Sequence, residues 1–301
     1  MIAVTVPATS ANLGPGFDTL GLALNLYNRV EMDRAEPGTL EVLLEGEGAG
    51  SLTADWSNLA LRAADLVFRQ RGGRPPGLRV RIVSSIPLAR GLGSSATAVV
   101  GGILAADGLT GGGMSAEEAL NLAASLEGHA DNVAPALCGG MTISWRNERG
   151  YGCLRLEPPL ELGAVAAIPT VPMPTARARA VLPEKVPLAD AVFNTGRAAL
   201  LVAAVTTGRL DLLREATMDR LHQPYREKLL PGFREAVTAA LEVGALGAFL
   251  SGAGSSVLAL IRKNDGAKVG EAMEGAFRQK GVGCATRILC PTPQGATVSI
   301  S

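Results

Sequence analysis

A strand pattern, a glycine-serine loop and a helix pattern follow one another between Leu78 and Ala106, and no other segment constrains the fold as much. Leu78-Arg-Val-Arg-Ile-Val83 alternates β-branched and charged residues, as a strand does. Ile86-Pro-Leu-Ala-Arg-Gly-Leu-Gly-Ser-Ser-Ala96 then forms a loop, and small residues run at helical spacing from Ala96 to Ala106. Glycines at 91 and 93 let the backbone approach a ligand closely and take positive φ. Ser94 and Ser95 bring hydroxyls and amides to a helix start, where unpaired N–H groups and the dipole favour an anion. A nucleotide phosphate chain is the anion such a start suits.

Other readings of this loop stay open on the segment alone. It lacks the lysine of G-x-x-x-x-G-K-[ST], which excludes that phosphate loop. Gly91 to Ala96 does match the permissive G-x-G-x-x-[GA] dinucleotide fingerprint. That fingerprint expects a second strand ending in an acid about 20 residues on, whereas here the helix runs into Asp107-Gly-Leu-Thr-Gly-Gly-Gly113. A bare glycine turn between strand and helix would give the same pattern.

Partners narrow by charge. With 28 basic and 28 acidic residues the formal net charge is zero, which is not the electrostatic footprint of a nucleic-acid binder, and aromatics at 4% further weaken base stacking. The four cysteines (138, 153, 284 and 290) form no C-x-x-C pair, and two histidines make a zinc site improbable. Free thiols are expected, with Cys284–Cys290 the one disulfide worth considering. Met1 to Val6 lacks the basic region of a signal peptide, and no apolar run approaches the length of a membrane span. A cytoplasmic protein with no membrane partner is expected.

The 301 residues suffice for two domains. Strand patterns are predicted at Ile2–Pro7, Leu40–Leu44, Met141–Trp145 and Gly163–Ile168, with two more near the end of the chain. Helices are predicted at 58–71 (capped by Ser57 and stopped by Gly72-Gly73) and from the S-x-x-E box at Ser115 to Glu127. Further helices are predicted at 189–207, 210–218, 231–243 and 267–279. Helices and strands mix without strict alternation, which predicts an α+β chain in two halves, residues 1–160 and 161–301.

Three glycine-serine segments together resemble the GHMP small-molecule kinases. The central loop is similar to that family's phosphate loop, [LIVM]-P-x-x-x-G-L-G-S-S-A. Pro7-Ala-Thr-Ser-Ala-Asn-Leu-Gly-Pro-Gly-Phe-Asp18 and Glu127-Gly-His-Ala-Asp-Asn132 resemble its homoserine kinase branch, as do Thr175-Ala-Arg-Ala-Arg179 and Gln223-Pro-Tyr-Arg226. Leu250-Ser-Gly-Ala-Gly-Ser-Ser-Val-Leu258 resembles the family's third motif. The resemblance implies an N-terminal nucleotide-binding α+β domain with a left-handed βαβ crossover and a C-terminal ferredoxin-like domain. It also implies ATP and Mg²⁺ as cofactors, L-homoserine as substrate and, at family level, a homodimer.

The residues carry over one by one. Pro87, Leu88, Ala89, Arg90, Gly91, Leu92, Gly93, Ser94, Ser95 and Ala96 would hold the nucleotide, and Ser95 with Glu127 the metal. Homoserine carries an ammonium, a carboxylate and a hydroxyl. Asn12 and Asp18 would take the ammonium, although both residue types also make turns unaided. Arg179 and Arg226 would take the carboxylate, with Arg177 close enough to Arg179 to compete. Asn132, Asp131 and Thr175 would orient or deprotonate the hydroxyl, Asn132 by positioning and Asp131 as a base if one is used. His129 would shape the pocket, and His222 is expected to be structural. A mevalonate-type kinase and a catalytically silent binding protein on the same scaffold are the rivals.

Overall fold

Apolar alternation near the N-terminus seeds the first sheet. In the computed structural model, which describes residues 1–300, β1 (Ile2–Ala11) pairs antiparallel with β2 (Leu20–Arg34). The ladder slips between Pro7 and Ala8, where proline offers no N–H. β3 (Leu40–Gly46) runs parallel to β4 (Leu78–Ser84), the one parallel pair among the described residues. A parallel pair needs a crossover, and α1 (Leu59–Gln70) lies on it. Asn58, not Ser57, caps this helix: its Oδ1 accepts from the Ala60 amide at 3.0 Å, while the Ser57 hydroxyl turns to Thr53 and Asp55.

α2 (Ser94–Leu109) and α3 (Ala116–Glu127) follow, and both bonds of the Ser115/Glu118 capping box are made. A short α4 (Val133–Cys138) leads into the hairpin β5 (Met141–Asn147) and β6 (Gly150–Leu156). β5 joins the near end of β2 and β4 the far end, so the long second strand organises a seven-stranded sheet. Val4, Val30 and Val80 from that sheet, Phe68 from α1, and Val99 and Ile103 from α2 form its core.

The second half begins with β7 (Leu162–Pro169), α5 (Thr175–Ala180), α6 (Leu188–Thr207), α7 (Leu213–Ala216) and α8 (Gln223–Arg226). It continues through α9 (Phe233–Glu242), β8 (Gly247–Leu250), β9 (Val257–Arg262), α10 (Gly266–Gln279) and β10 (Cys284–Leu289). Its antiparallel order is β10-β7-β9-β8; counted from β7 this is 4-1-3-2, the arrangement expected of a ferredoxin-like unit. Phe233 of α9 and Met273 and Phe277 of α10 cover one face with Val165 and Val257.

The other face supplies Ala164, Ala166, Leu258 and Leu260 to a cluster shared with Leu20, Leu22 and Leu24 of β2, an apolar seam between the halves. The chain then returns: β11 (Thr297–Ile300) pairs with β1, so its last strand belongs to the first sheet, beyond any division at residue 160.

Three expectations change. The helix predicted at 210–218 is a 3₁₀ turn and the four-residue α7, and α9 starts at Phe233 behind Gly232 rather than at Pro231. By length and composition α6 could cross a membrane, contrary to the expectation that no apolar run approaches that length. It carries Asp190 and Arg197, and Leu201, Ala204 and Val205 pack into the seam.

Candidate active site

The glycine loop and α2 form one wall of a cleft of about 340 Å³ between the halves. Gly91 and Gly93 have φ of 72° and 74°. A Cβ on Gly91 would strike the Ser251 carbonyl, and one on Gly93 the Thr9 hydroxyl, so only glycine fits the turn. The first turn of α2 carries no acidic residue and no side-chain cap, which leaves its amides turned to the cleft.

Of the loop residues predicted to hold a nucleotide, Leu88, Ala89, Arg90, Gly91, Gly93, Ser94 and Ser95 line the cleft. Pro87, Leu92 and Ala96 do not. Leu92 and Ala96 are core side chains that anchor the loop from beneath, so Ala96 has only its amide to offer. Arg90 is fastened to the second half: Nε donates to Pro169 O at 2.9 Å and Nη2 to Thr170 O at 2.8 Å. The third glycine segment closes the same wall, with Ser251 Oγ donating to Gly91 O at 2.6 Å and the Ser256 amide to Arg90 O. Leu52, Leu59 and Ile82 make an apolar end, which the motifs gave no reason to expect.

Glu127 sits across from the helix start, and Ser95 Oγ donates to its Oε2 at 2.9 Å. Burial pushes the Glu127 carboxyl up, against the pull of that hydrogen bond. Asp131 is 2% exposed, and His129 Nδ1 lies 2.7 Å from its Oδ1, off the line a hydrogen bond needs. Burial opposes the His129 imidazolium, but the Asp131 carboxylate outweighs it and holds His129 above the ordinary histidine range. The Asn132 side chain is held by Thr9, whose hydroxyl donates to Oδ1 at 2.8 Å. Thr175 is exposed at the start of α5 and lines the cleft.

Asp18 and Arg179 form a two-pronged ion pair at 2.7 and 3.0 Å. Arg177 is exposed and does not line the cleft, which separates it from Arg179. Arg226 is 2% exposed; its Nη1 donates to Gly252 O at 3.0 Å and its Nε to Ala178 O at 3.2 Å. Burial and the nearby Arg179 charge push its guanidinium down to about 10. Asn12 lines the cleft but also works as a turn-maker, since its Oδ1 accepts from the Asp18 amide and its Nδ2 donates to Gly252 O.

Two further residues complete this corner. Phe17 lies with its ring centre 5.6 Å from the Arg179 guanidinium and 5.3 Å from that of Arg226, close enough to hold both cations. Fully buried His222 is pushed down by burial; Nε2 donates to Gly14 O at 2.7 Å, and Nδ1 accepts from Arg226.

A glycine turn at a bare helix start, a carboxylate beside a serine, and a corner of opposite charges are the parts of a phosphoryl-transfer site for a small charged substrate. Comparison with known proteins agrees. The GHMP kinases N-terminal domain model matches residues 58–140, and the GHMP kinases C-terminal model matches residues 201–279. The chain belongs to the GHMP kinase family.

Within the GHMP kinases it is 49% identical over 295 residues to the homoserine kinase of Moorella thermoacetica, covering 98% of this chain and 99% of that protein. It is 42% identical to that of Trichormus variabilis, covering 98% of each. The crystal structure of homoserine kinase from Cytophaga hutchinsonii superposes with a TM-score of 0.89 at 32% identity, over 99% of this chain and 97% of that one. GHMP kinase chemistry, transfer of a phosphoryl group from ATP to a hydroxyl, is therefore the chemistry of this chain.

Proposed function

We propose that the chain phosphorylates the hydroxyl of L-homoserine, giving O-phospho-L-homoserine on the way to threonine. The observation that carries the substrate assignment is the two-pronged Asp18–Arg179 pair in the cleft, with buried Arg226 beside it. An amino acid brings one charge of each sign, so its ammonium meets Asp18 and its carboxylate meets Arg179 and Arg226 without leaving either side unpaired. Mevalonate has no ammonium to compensate Asp18 when Arg179 turns to the substrate carboxylate; a site built for a polar group rejects an analogue lacking it by about 10⁴–10⁵.

The phosphate chain lies against the amides of Ser94, Ser95 and Ala96, with the base toward Leu52, Leu59 and Ile82. Asn132 orients the acceptor hydroxyl, its own side chain fixed by Thr9. Asp131 is engaged by His129, and a loose transition state asks little of a base before phosphoryl transfer. Catalysis is then positioning together with stabilisation of the charge that develops on the transferred group.

Glu127 and the Ser95 hydroxyl fit Mg²⁺: a carboxylate held high by burial gains from a hard dication, and this ion takes one or two carboxylates while keeping several waters. When bound, the ion would supply positive charge beside the phosphates that Gly91 to Ser95 do not carry.

The proposal includes a soluble cytoplasmic enzyme. It also includes a homodimer, for which the exposed Leu188 and Val192 of α6 are an available apolar surface and which sedimentation velocity would detect.

ADP release from Mg-ATP tests the substrate, with L-homoserine, D-homoserine, L-serine, L-threonine and mevalonate compared side by side. Turnover on L-homoserine alone is expected. Preference for mevalonate would remove the substrate assignment, and ATP binding without any turnover would favour the silent binding protein.

A further inference from the structure

Two of the four cysteines meet outside the cleft. Cys138 is the last residue of α4, and Cys153 stands on β6 opposite Ser144 in the hairpin ladder. Their sulfurs are 3.7 Å apart, in van der Waals contact, and both residues are partly exposed. A disulfide needs about 2.05 Å, so closure asks for a shift of roughly 1.7 Å, within reach of side-chain rotation at a helix end. In the pair suggested by sequence proximity, Cys284 opens β10 and Cys290 lies just past its other end, so the two are a strand's length apart and cannot close.

One thiol of the pair is primed. The contact with Cys153 and the nearby Arg155 charge bring Cys138 down to about 7 against the effect of burial, while the same contact and burial push Cys153 up until Cys138 is capped as a mixed disulfide. α4 also connects Cys138 to the active site. The helix is six residues long, about 9 Å, and its other end follows Asn132, the residue proposed to orient the hydroxyl.

We propose that Cys138 and Cys153 form a reversible intramolecular disulfide that draws the end of α4 toward β6 and displaces Asn132, lowering turnover. The oxidant is a low-molecular-weight disulfide. The Cys138 thiolate attacks one of its sulfurs, the oxidant S–S bond breaks, and a mixed disulfide forms as one thiolate leaves and takes up the proton that Cys138 gave to solvent. Cys153 then loses its proton and attacks the Cys138 sulfur, and that proton goes out with the second departing thiol. Two protein thiols are oxidised while one small disulfide is reduced to two thiols.

The full chain is treated with oxidised glutathione at neutral pH and examined by intact mass, non-reducing peptide mapping and ADP release. The expected product has lost about 2 Da, contains a peptide linking Cys138 to Cys153, and titrates two thiols instead of four. Its kcat falls several-fold with the KM for ATP unchanged, and dithiothreitol restores it. Cys153→Ser should stop at a glutathione adduct on Cys138, and Cys138→Ser should keep its rate through the treatment.

The mapping does not depend on the substrate assignment, so failure of that assignment and failure of the disulfide are distinguishable. Separate glutathione adducts on the two cysteines, or two unreacted thiols, would overturn the disulfide. A linked product with unchanged kcat, or equal loss of rate in Cys138→Ser, would overturn its reach to Asn132.

Discussion

Arg179 shows how much depends on the shape of a single cation. Its guanidinium grips Asp18 with two nitrogens and lies over Phe17, and lysine cannot reproduce the two-pronged grip. Arg179→Lys is expected to raise the KM for homoserine by about tenfold to a hundredfold, the worth of one or two charge-assisted bonds. The KM for ATP should stay within about twofold, and steady-state kinetics with each substrate varied in turn separates the two. His129 makes a prediction in pH. Because Asp131 raises its pKa above the unfolded value near 6.5, its stabilising contribution is complete below that value and lost as pH rises through the folded pKa. The stability difference between the wild type and His129→Asn should therefore be widest in acid and shrink toward alkaline pH in urea titrations. A difference that grows with pH would mean that burial, not Asp131, governs His129. Phe17 has no signature in the sequence, because its role depends on arginines that only the fold brings to it.

Local chemistry made several elements legible. The S-x-x-E box, the glycines after Gln70 and the strand-loop-helix junction each act within a few residues, and each appears where its chemistry predicts. What depended on distant partners was harder to read. β2 runs from Leu20 to Arg34 and was absent from the strand patterns, although Leu20, Leu22 and Leu24 alternate; its length reflects pairing with β1, β4 and β5 at different points. The nearness of Cys138 to Cys153 likewise depends on how a hairpin lies against a helix end. Ser57 and Asn58 are both good caps for α1, and tertiary contacts choose Asn58. Asn58 is 5% exposed and also donates to Thr53 O, so Asn58→Ala should cost about 1–2 kcal/mol. Ser57→Ala should cost only a few tenths of a kcal/mol, and chemical denaturation of the two variants measures the contrast.

At the scale of the molecule, two kinds of contact hold the halves around the cleft, and their magnitudes differ. The seam cluster joins Leu20, Leu22 and Leu24 to Leu258 and Leu260, each nearly or fully buried. At about 1.5–3 kcal/mol for each such side chain, it contributes well over 5 kcal/mol. Arg90 reaches across with bonds to Pro169 O and Thr170 O, and its loss removes about 2 kcal/mol. The seam therefore sets cooperativity, and the arginine sets the position of the glycine loop against β7. Arg90→Met, which keeps the side chain's length without its donors, should still unfold in a single calorimetric transition, with Tm lower by roughly 3–6 °C. Its KM for ATP should rise more than its KM for homoserine, because the loop that loses one of its anchors lines the phosphate side of the cleft. Two resolved transitions in that variant would reverse the ranking: the halves would then be held together by the arginine, and the apolar seam would be too weak to make them fold as one.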